Sequence, residues 1–202
     1  MDSSGLRQFL SNPIVGFAPW IAAAIIEGPG RYVLAMGVAL AIAVFTTAIG
    51  PFVQLRPKYL DIAAIVFFAA MLVAGLVVNA AGRGWLELWS AELSSVMLVL
   101  IALVSIAVRR PFTLQYARES TPREYWGSPV FLHVNYVITG AWAAAFAVTA
   151  VAGWVGDGPL NQPNNAWTNW IIPIAALVIA IRFTQWYPNA ARTRARGARE
   201  SD

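Results

Sequence analysis

One stretch of the chain gathers groups that could hold an anion. VRRPFTLQYARESTPREYWGSPVF, Val108 to Phe131, carries Arg109, Arg110, Arg118 and Arg123 among Phe112, Tyr116 and Trp126. Guanidinium groups grip carboxylate or phosphate through paired hydrogen bonds, and neighbouring rings add an apolar anchor. Pro111 ends the preceding apolar run, and FTLQYARE repeats at helical spacing through Phe112, Gln115 or Tyr116, and Glu119. STPREYW restarts a turn, with Ser120 or Thr121 as N-cap, Pro122 at the first position and Glu124 in the first turn. Two readings follow. Either a surface helix meets a partner or anionic lipid through Arg109, Arg110, Phe112, Tyr116, Arg118 and Arg123, or the stretch is a topology-setting loop resting on headgroups.

A second group lies in the apolar run that follows: His133, Asn135, Tyr136 and Thr139. Steps of three and four place His133, Gly140 and Ala144 on one helix face. Gly140 and Ala144 form a small-xxx-small pair that admits another helix, and buried Asn135 and Thr139 would hydrogen-bond across such a contact. His133, Asn135, Thr139, Gly140 and Ala144 are therefore read as helix-packing residues. His133 sits at the end of its run, so an interfacial or capping role is preferred over a pigment ligand or proton carrier. Thr46 and Thr47 are expected to bond their own helix backbone. Asn79 is expected at a helix C-terminus, and Glu27, beside the Gly-Pro-Gly break, is expected in water.

Other chemistry is short of parts. There is no cysteine and one histidine, which removes thiolate sites, disulfides and multi-histidine metal centres. No metalloprotease, serine-hydrolase or nucleotide-loop motif occurs, and no Asp, Glu, Lys or Arg is central in any apolar run. Proton-coupled transport and charge relays need such intramembrane groups. The expectation is a protein that is not an enzyme and holds no cofactor or metal. A small oligomeric transporter or channel is the rival class, with Thr46, Asn135 and Thr139 as its thin polar material.

The elements that must position these residues are apolar. The chain is 58% hydrophobic and 12% charged, against roughly 25% charged in a soluble domain. Residues 32–52, 62–80, 86–108, 130–154 and 167–183 are long enough to cross a bilayer. Residues 13–26, with Pro19 inside, rise only about 21 Å as a helix, so this segment is a thin span, a re-entrant piece or an interfacial helix. The sequence thus predicts an all-α, polytopic membrane bundle of about six helices, one domain over 1–187. A loop at 109–129 and a basic tail at 188–202 lie on the cytoplasmic side. All Lys and Arg residues except Arg31 and Arg83 then fall on one side, which orients the chain N-in and C-in by the positive-inside rule. Trp85, Trp89, Trp154, Trp167 and Trp170 cluster at the opposite interface. MDSSGLRQFLSNP lacks the basic start and cleavage site of a signal peptide, so the first span reads as an uncleaved anchor. The tail's arginines suit an anionic leaflet better than nucleic acid, because no aromatics are interleaved to stack on bases.

The order of these parts, with VRRPFTLQYARE (Val108 to Glu119) and HVNYVITGAWAAAF (His133 to Phe146), resembles the bacterial intracellular septation protein A family over roughly Pro13 to Trp154. The resemblance implies a helical protein of the bacterial cytoplasmic (inner) membrane, acting through partners in envelope synthesis or division, with no catalytic residues to carry over. The function expected is a non-enzymatic scaffold of a larger membrane assembly. An accessory subunit of a lipid-transport or respiratory complex is the alternative. The expected partners are anionic headgroups and other integral membrane proteins in a hetero-oligomer.

Overall fold

A computed structural model describes residues 5, 13–163 and 165–200. Arg7, with most of the stretch before Pro13, lies outside them. The described residues form helices α1 (Pro13–Gly16), α2 (Ala18–Ile26), α3 (Tyr32–Ile49), α4 (Tyr59–Val77), α5 (Ala80–Ala107), α6 (Phe112–Ser120), α7 (Pro129–Asp157) and α8 (Ile172–Glu200). The all-α expectation holds. Five stretches are long and apolar enough to cross a membrane: Tyr32–Val53, Tyr59–Val77, Ala80–Ala107, Pro129–Asp157 and Trp167–Ala191. Their outer faces expose Leu34, Phe45, Val66, Leu76, Leu103 and Ile179. In water such surface would drive aggregation; against acyl chains it costs nothing. The chain is a helical membrane protein. It divides into two compact units, residues 1–97 and 98–202, with the boundary inside α5.

In the first unit, the 13–26 segment is two short helices broken at Phe17. Pro19 causes no kink because it falls in the first turn of α2, where its missing N–H is not needed. Val15 packs with Val53 and Leu55 beyond the end of α3. At the other end, Glu27 follows α2 and leads into the turn before α3. The segment therefore runs beside α3 from end to end, despite its shortness. Helix α3 turns its small, buried stripe of Ala35, Ala39 and Ala43 inward with Met36, and α4 turns in Leu60, Ala64, Phe68 and Met71. Small residues let the backbones approach closely. Trp20 stacks on Phe67 at 5.1 Å and leans on Phe68 at 4.8 Å. Tyr32 donates its hydroxyl to the Met71 carbonyl at 2.8 Å. Its ring occupies the space a side chain at Gly75 would need.

Two expected boundaries move. Asn79 does not close α4; its side chain accepts from Gly82 N at 2.9 Å, so it is the N-cap of α5. Helix α5 consequently starts at Ala80 and absorbs Gly82 and Gly84, which the sequence suggests as a break. Arg83 donates to the Gly75 carbonyl at 3.0 Å, satisfying an acceptor near the end of α4. Thr46 and Thr47 do bond back to Ile42 and Ala43, as their types suggest.

In the second unit, α7 packs along α8, and α6 packs on α7. Ser128 caps α7 by accepting from Phe131 N at 3.2 Å, with Pro129 at the first position. A π-turn, Trp167–Ile171, precedes α8. Pro173 lacks the N–H that the Asn169 carbonyl would need, and the wider turn accommodates that loss. There Asn169 donates to Asp157 at 2.7 Å and to the Pro163 carbonyl at 2.8 Å. Gly156 leaves room for Thr168. The basic tail expected from Pro188 is not a separate segment: α8 continues through Pro188 to Glu200.

Candidate partner and headgroup interface

The loop after α5 begins with a helix closure. Arg109 N donates to the Ile106 carbonyl at 2.9 Å and Arg110 N to the Ser105 carbonyl at 2.8 Å. This two-bond closure needs a left-handed residue, and Arg109 supplies it at φ 58°. Glycine takes that conformation without strain, whereas a side chain costs about 1 kcal/mol. Ser105 then receives the Phe112 N–H on its hydroxyl at 3.1 Å and donates to Ala102, so the same residue fixes the start of α6.

Helix α6 is pinned to α7. Thr113 donates to the Asn135 carbonyl at 3.0 Å, and its hydroxyl lies 2.8 Å from that of Thr139. Asn135 and Thr139 are 3% and 0% exposed. The Asn135 amide donates back to Phe131 O at 2.8 Å. Phe112, Leu114 and Tyr116 are buried, with Phe112 2% and Tyr116 5% exposed. These contacts correct part of the expected interface: Phe112 and Tyr116 are consumed inside the chain and cannot meet a partner or lipid. Arg109, Arg110, Arg118 and Arg123 are exposed. Trp126 lies against two of them, with the Arg118 guanidinium 5.2 Å and that of Arg123 5.7 Å from its ring centre. Its indole N–H is anchored on Thr121 O at 2.8 Å. The ring face orients cations that would otherwise wave freely. The result is a folded platform whose outward surface is cationic.

The expected packing group on α7 divides in two. Asn135 and Thr139 face inward with Val134, Ile138, Trp142 and Phe146. His133 and Ala144 are exposed, and a side chain built at Gly140 would meet open space. For Gly140 and Ala144 the expected helix contact is not made within this chain. The inward face mixes Trp142 and Phe146 with other small residues, Ala143, Ala145, Ala152, Gly153 and Gly156, in place of the expected pair. Trp142 donates to Thr184 at 3.0 Å. His133 lies 3.4 Å from the Tyr187 hydroxyl, at the long limit of a hydrogen bond, and remains exposed.

Glu27 is the clearest residue that sequence reasoning misplaced. It is not fully solvated: it is partly buried and accepts from the Ser90 hydroxyl. Glu87, one turn before Ser90, accepts from Gly30 N at 2.6 Å. The Gly-Pro-Gly turn and α5 thus hold each other through two carboxylates. Burial pushes the Glu27 carboxyl from its ordinary 4.5 up to about 7; the Ser90 bond opposes this, and the Glu87 charge adds to it. The spacing of Glu87 and Ser90, three apart on one helix face, was a signal available in the sequence. Among the described residues, no three His, Asp or Glu side chains converge as a metal site. Compared with known proteins, the chain matches no family model, no curated protein and no solved structure.

Proposed function

We propose that the chain is a non-enzymatic scaffold of the bacterial cytoplasmic membrane that stabilises a larger assembly of integral membrane proteins. The observation that carries this reading is the loop platform. A loop that served topology alone would need only its charges. Here Ser105 and Thr113 spend specific hydrogen bonds on docking α6, and Trp126, anchored on Thr121, lies against the Arg118 and Arg123 guanidinium groups. Such pre-organisation suits recognition of a carboxylate- or phosphate-bearing partner surface. The resemblance to the septation protein A family supports envelope synthesis or division as the setting, with N- and C-termini cytoplasmic. An accessory subunit of a lipid-transport or respiratory complex belongs to the same class and would differ only in the partner recovered.

Crosslinking in native membranes, mild-detergent purification and mass spectrometry should recover a stoichiometric partner. Arg118→Ala with Arg123→Ala should reduce its recovery about tenfold, as expected for losing one charge-assisted contact, while membrane insertion stays unchanged. A lone monodisperse oligomer, or equal recovery with the variant, would count against the scaffold.

A further inference from the structure

The link between α6 and the 3-10 turn Arg123–Tyr125 carries a hydroxyl that the fold does not use. Thr121 follows α6 in extended backbone, at φ −120° and ψ 132°, and Pro122 continues in polyproline-like backbone, at φ −54° and ψ 144°. The sequence offers Ser120 or Thr121 as a cap for the next turn, yet no side-chain hydrogen bond caps it. Ser120 turns its hydroxyl back on the Ala117 carbonyl. Thr121 accepts from Trp126 through its carbonyl, and its hydroxyl takes part in no hydrogen bond among the described residues. Thr121 is half-buried, and Ser120, Pro122, Arg123 and Glu124 around it are exposed. An outstretched, reachable segment is what a kinase needs to bring a hydroxyl in line with a terminal phosphate.

The Thr121 carbonyl also fixes where the residue lies. The Trp126 indole N–H donates to it at 2.8 Å, and the same ring has the Arg118 and Arg123 guanidinium groups 5.2 and 5.7 Å from its centre. Thr121 and both cations therefore share one indole. A phosphate added there meets guanidinium donors suited to it. Along the link, Glu119 and Glu124 balance Arg118 and Arg123 in charge. A phosphate brings about two negative charges and reverses that sign. The positive-inside rule puts the link on the side of the membrane where nucleoside triphosphates are found.

We propose that Thr121 is a phosphoryl acceptor, and that its phosphate occupies Arg118 and Arg123 and so releases the anionic partner they hold. The switch rests on the scaffold function proposed above, whose partner contact uses the same two arginines. In the reaction the Thr121 Oγ attacks the terminal phosphorus of ATP. Its proton passes to the base of a protein kinase, and the bridging P–O bond breaks to release ADP.

Full-length chain recovered from its native membranes under phosphatase inhibition should yield a phosphopeptide localised to Thr121, and Thr121→Val should abolish it. In the crosslinking assay Thr121→Glu, with about half the charge of a phosphate, should lower partner recovery about threefold, half in free energy of the tenfold loss from the paired arginine variant. Thr121→Gln, of similar size but neutral, should match the parent chain. In the Arg118→Ala, Arg123→Ala background Thr121→Glu should add no further loss, because the groups it competes for are gone. Phosphate only on Ser120, or on neither residue, would overturn the modification. Equal recovery with Thr121→Glu and Thr121→Gln, while the arginine variant still loses its partner, would overturn the release and leave the scaffold intact. Full recovery with the arginine variant would overturn the scaffold contact and the release with it, whereas the phosphopeptide alone decides the modification.

Discussion

Glu27 shows how one residue escapes a reading based on its neighbours. Gly28, Pro29 and Gly30 mark a turn, and turns are normally wet. The turn instead folds onto α5, where Ser90 and Glu87 wait. Because the carboxyl is harder to ionise folded than unfolded, folding takes up a proton between about pH 4.5 and about pH 7. The associated stability is complete below about 4.5 and is lost as pH rises through about 7. The full shift corresponds to about 3 kcal/mol, an upper bound because Glu27 keeps some contact with solvent. The melting temperature in detergent should therefore fall between pH 5 and pH 8. Glu27→Gln keeps an acceptor for Ser90 and should flatten that slope; an equally steep slope in the variant would show that other groups titrate.

At the scale of elements, α6 is the informative piece. Its type and approximate extent were legible: Pro111 before it, helical spacing within it, and a Ser-Thr-Pro stop after it. Its docked face was not, because Phe112 and Tyr116 suit a lipid surface as well as a protein one. The arbiter is Thr113, a residue that helical spacing alone does not single out. Its hydroxyl meets Asn135 and Thr139, which lie more than 20 residues away in the chain. Thr113→Val preserves shape and removes those bonds, at a cost of about 1–3 kcal/mol if Thr139 is left unsatisfied. Hydrogen exchange over residues 112–120 should accelerate at least tenfold while α7 stays protected. Unchanged exchange there would mean that apolar contact alone holds the helix down.

For the whole molecule, the positive-inside count and the packing of the first unit bear on the same question. Lys and Arg asymmetry leaves the 13–26 segment almost unconstrained, since only Arg7 changes side with it. The contact of Val15 with Val53 and Leu55 aligns the segment with the full length of α3. That alignment supports the expected sixth crossing, and the N-in, C-in orientation stays an expectation of the positive-inside rule for labelling to test. The chain has no cysteine, so an introduced one reports cleanly. An impermeant maleimide should label Asn161→Cys in intact cells and Ser120→Cys only after the membrane is opened; the reverse pattern would invert the topology.

Composition and spacing alone determined the solvent, the helical class and the approximate extent of the long spans, because each reflects a local quantity summed along the chain. The tertiary structure decided which side of each helix is occupied and by what. The small pair Gly140 and Ala144 faces outward, Asn79 serves the following helix, and the Pro188 tail remains helical. The physical reason is that a membrane helix is apolar on every face. Its sequence carries little contrast between lipid and protein, so only the neighbouring helices distinguish the two.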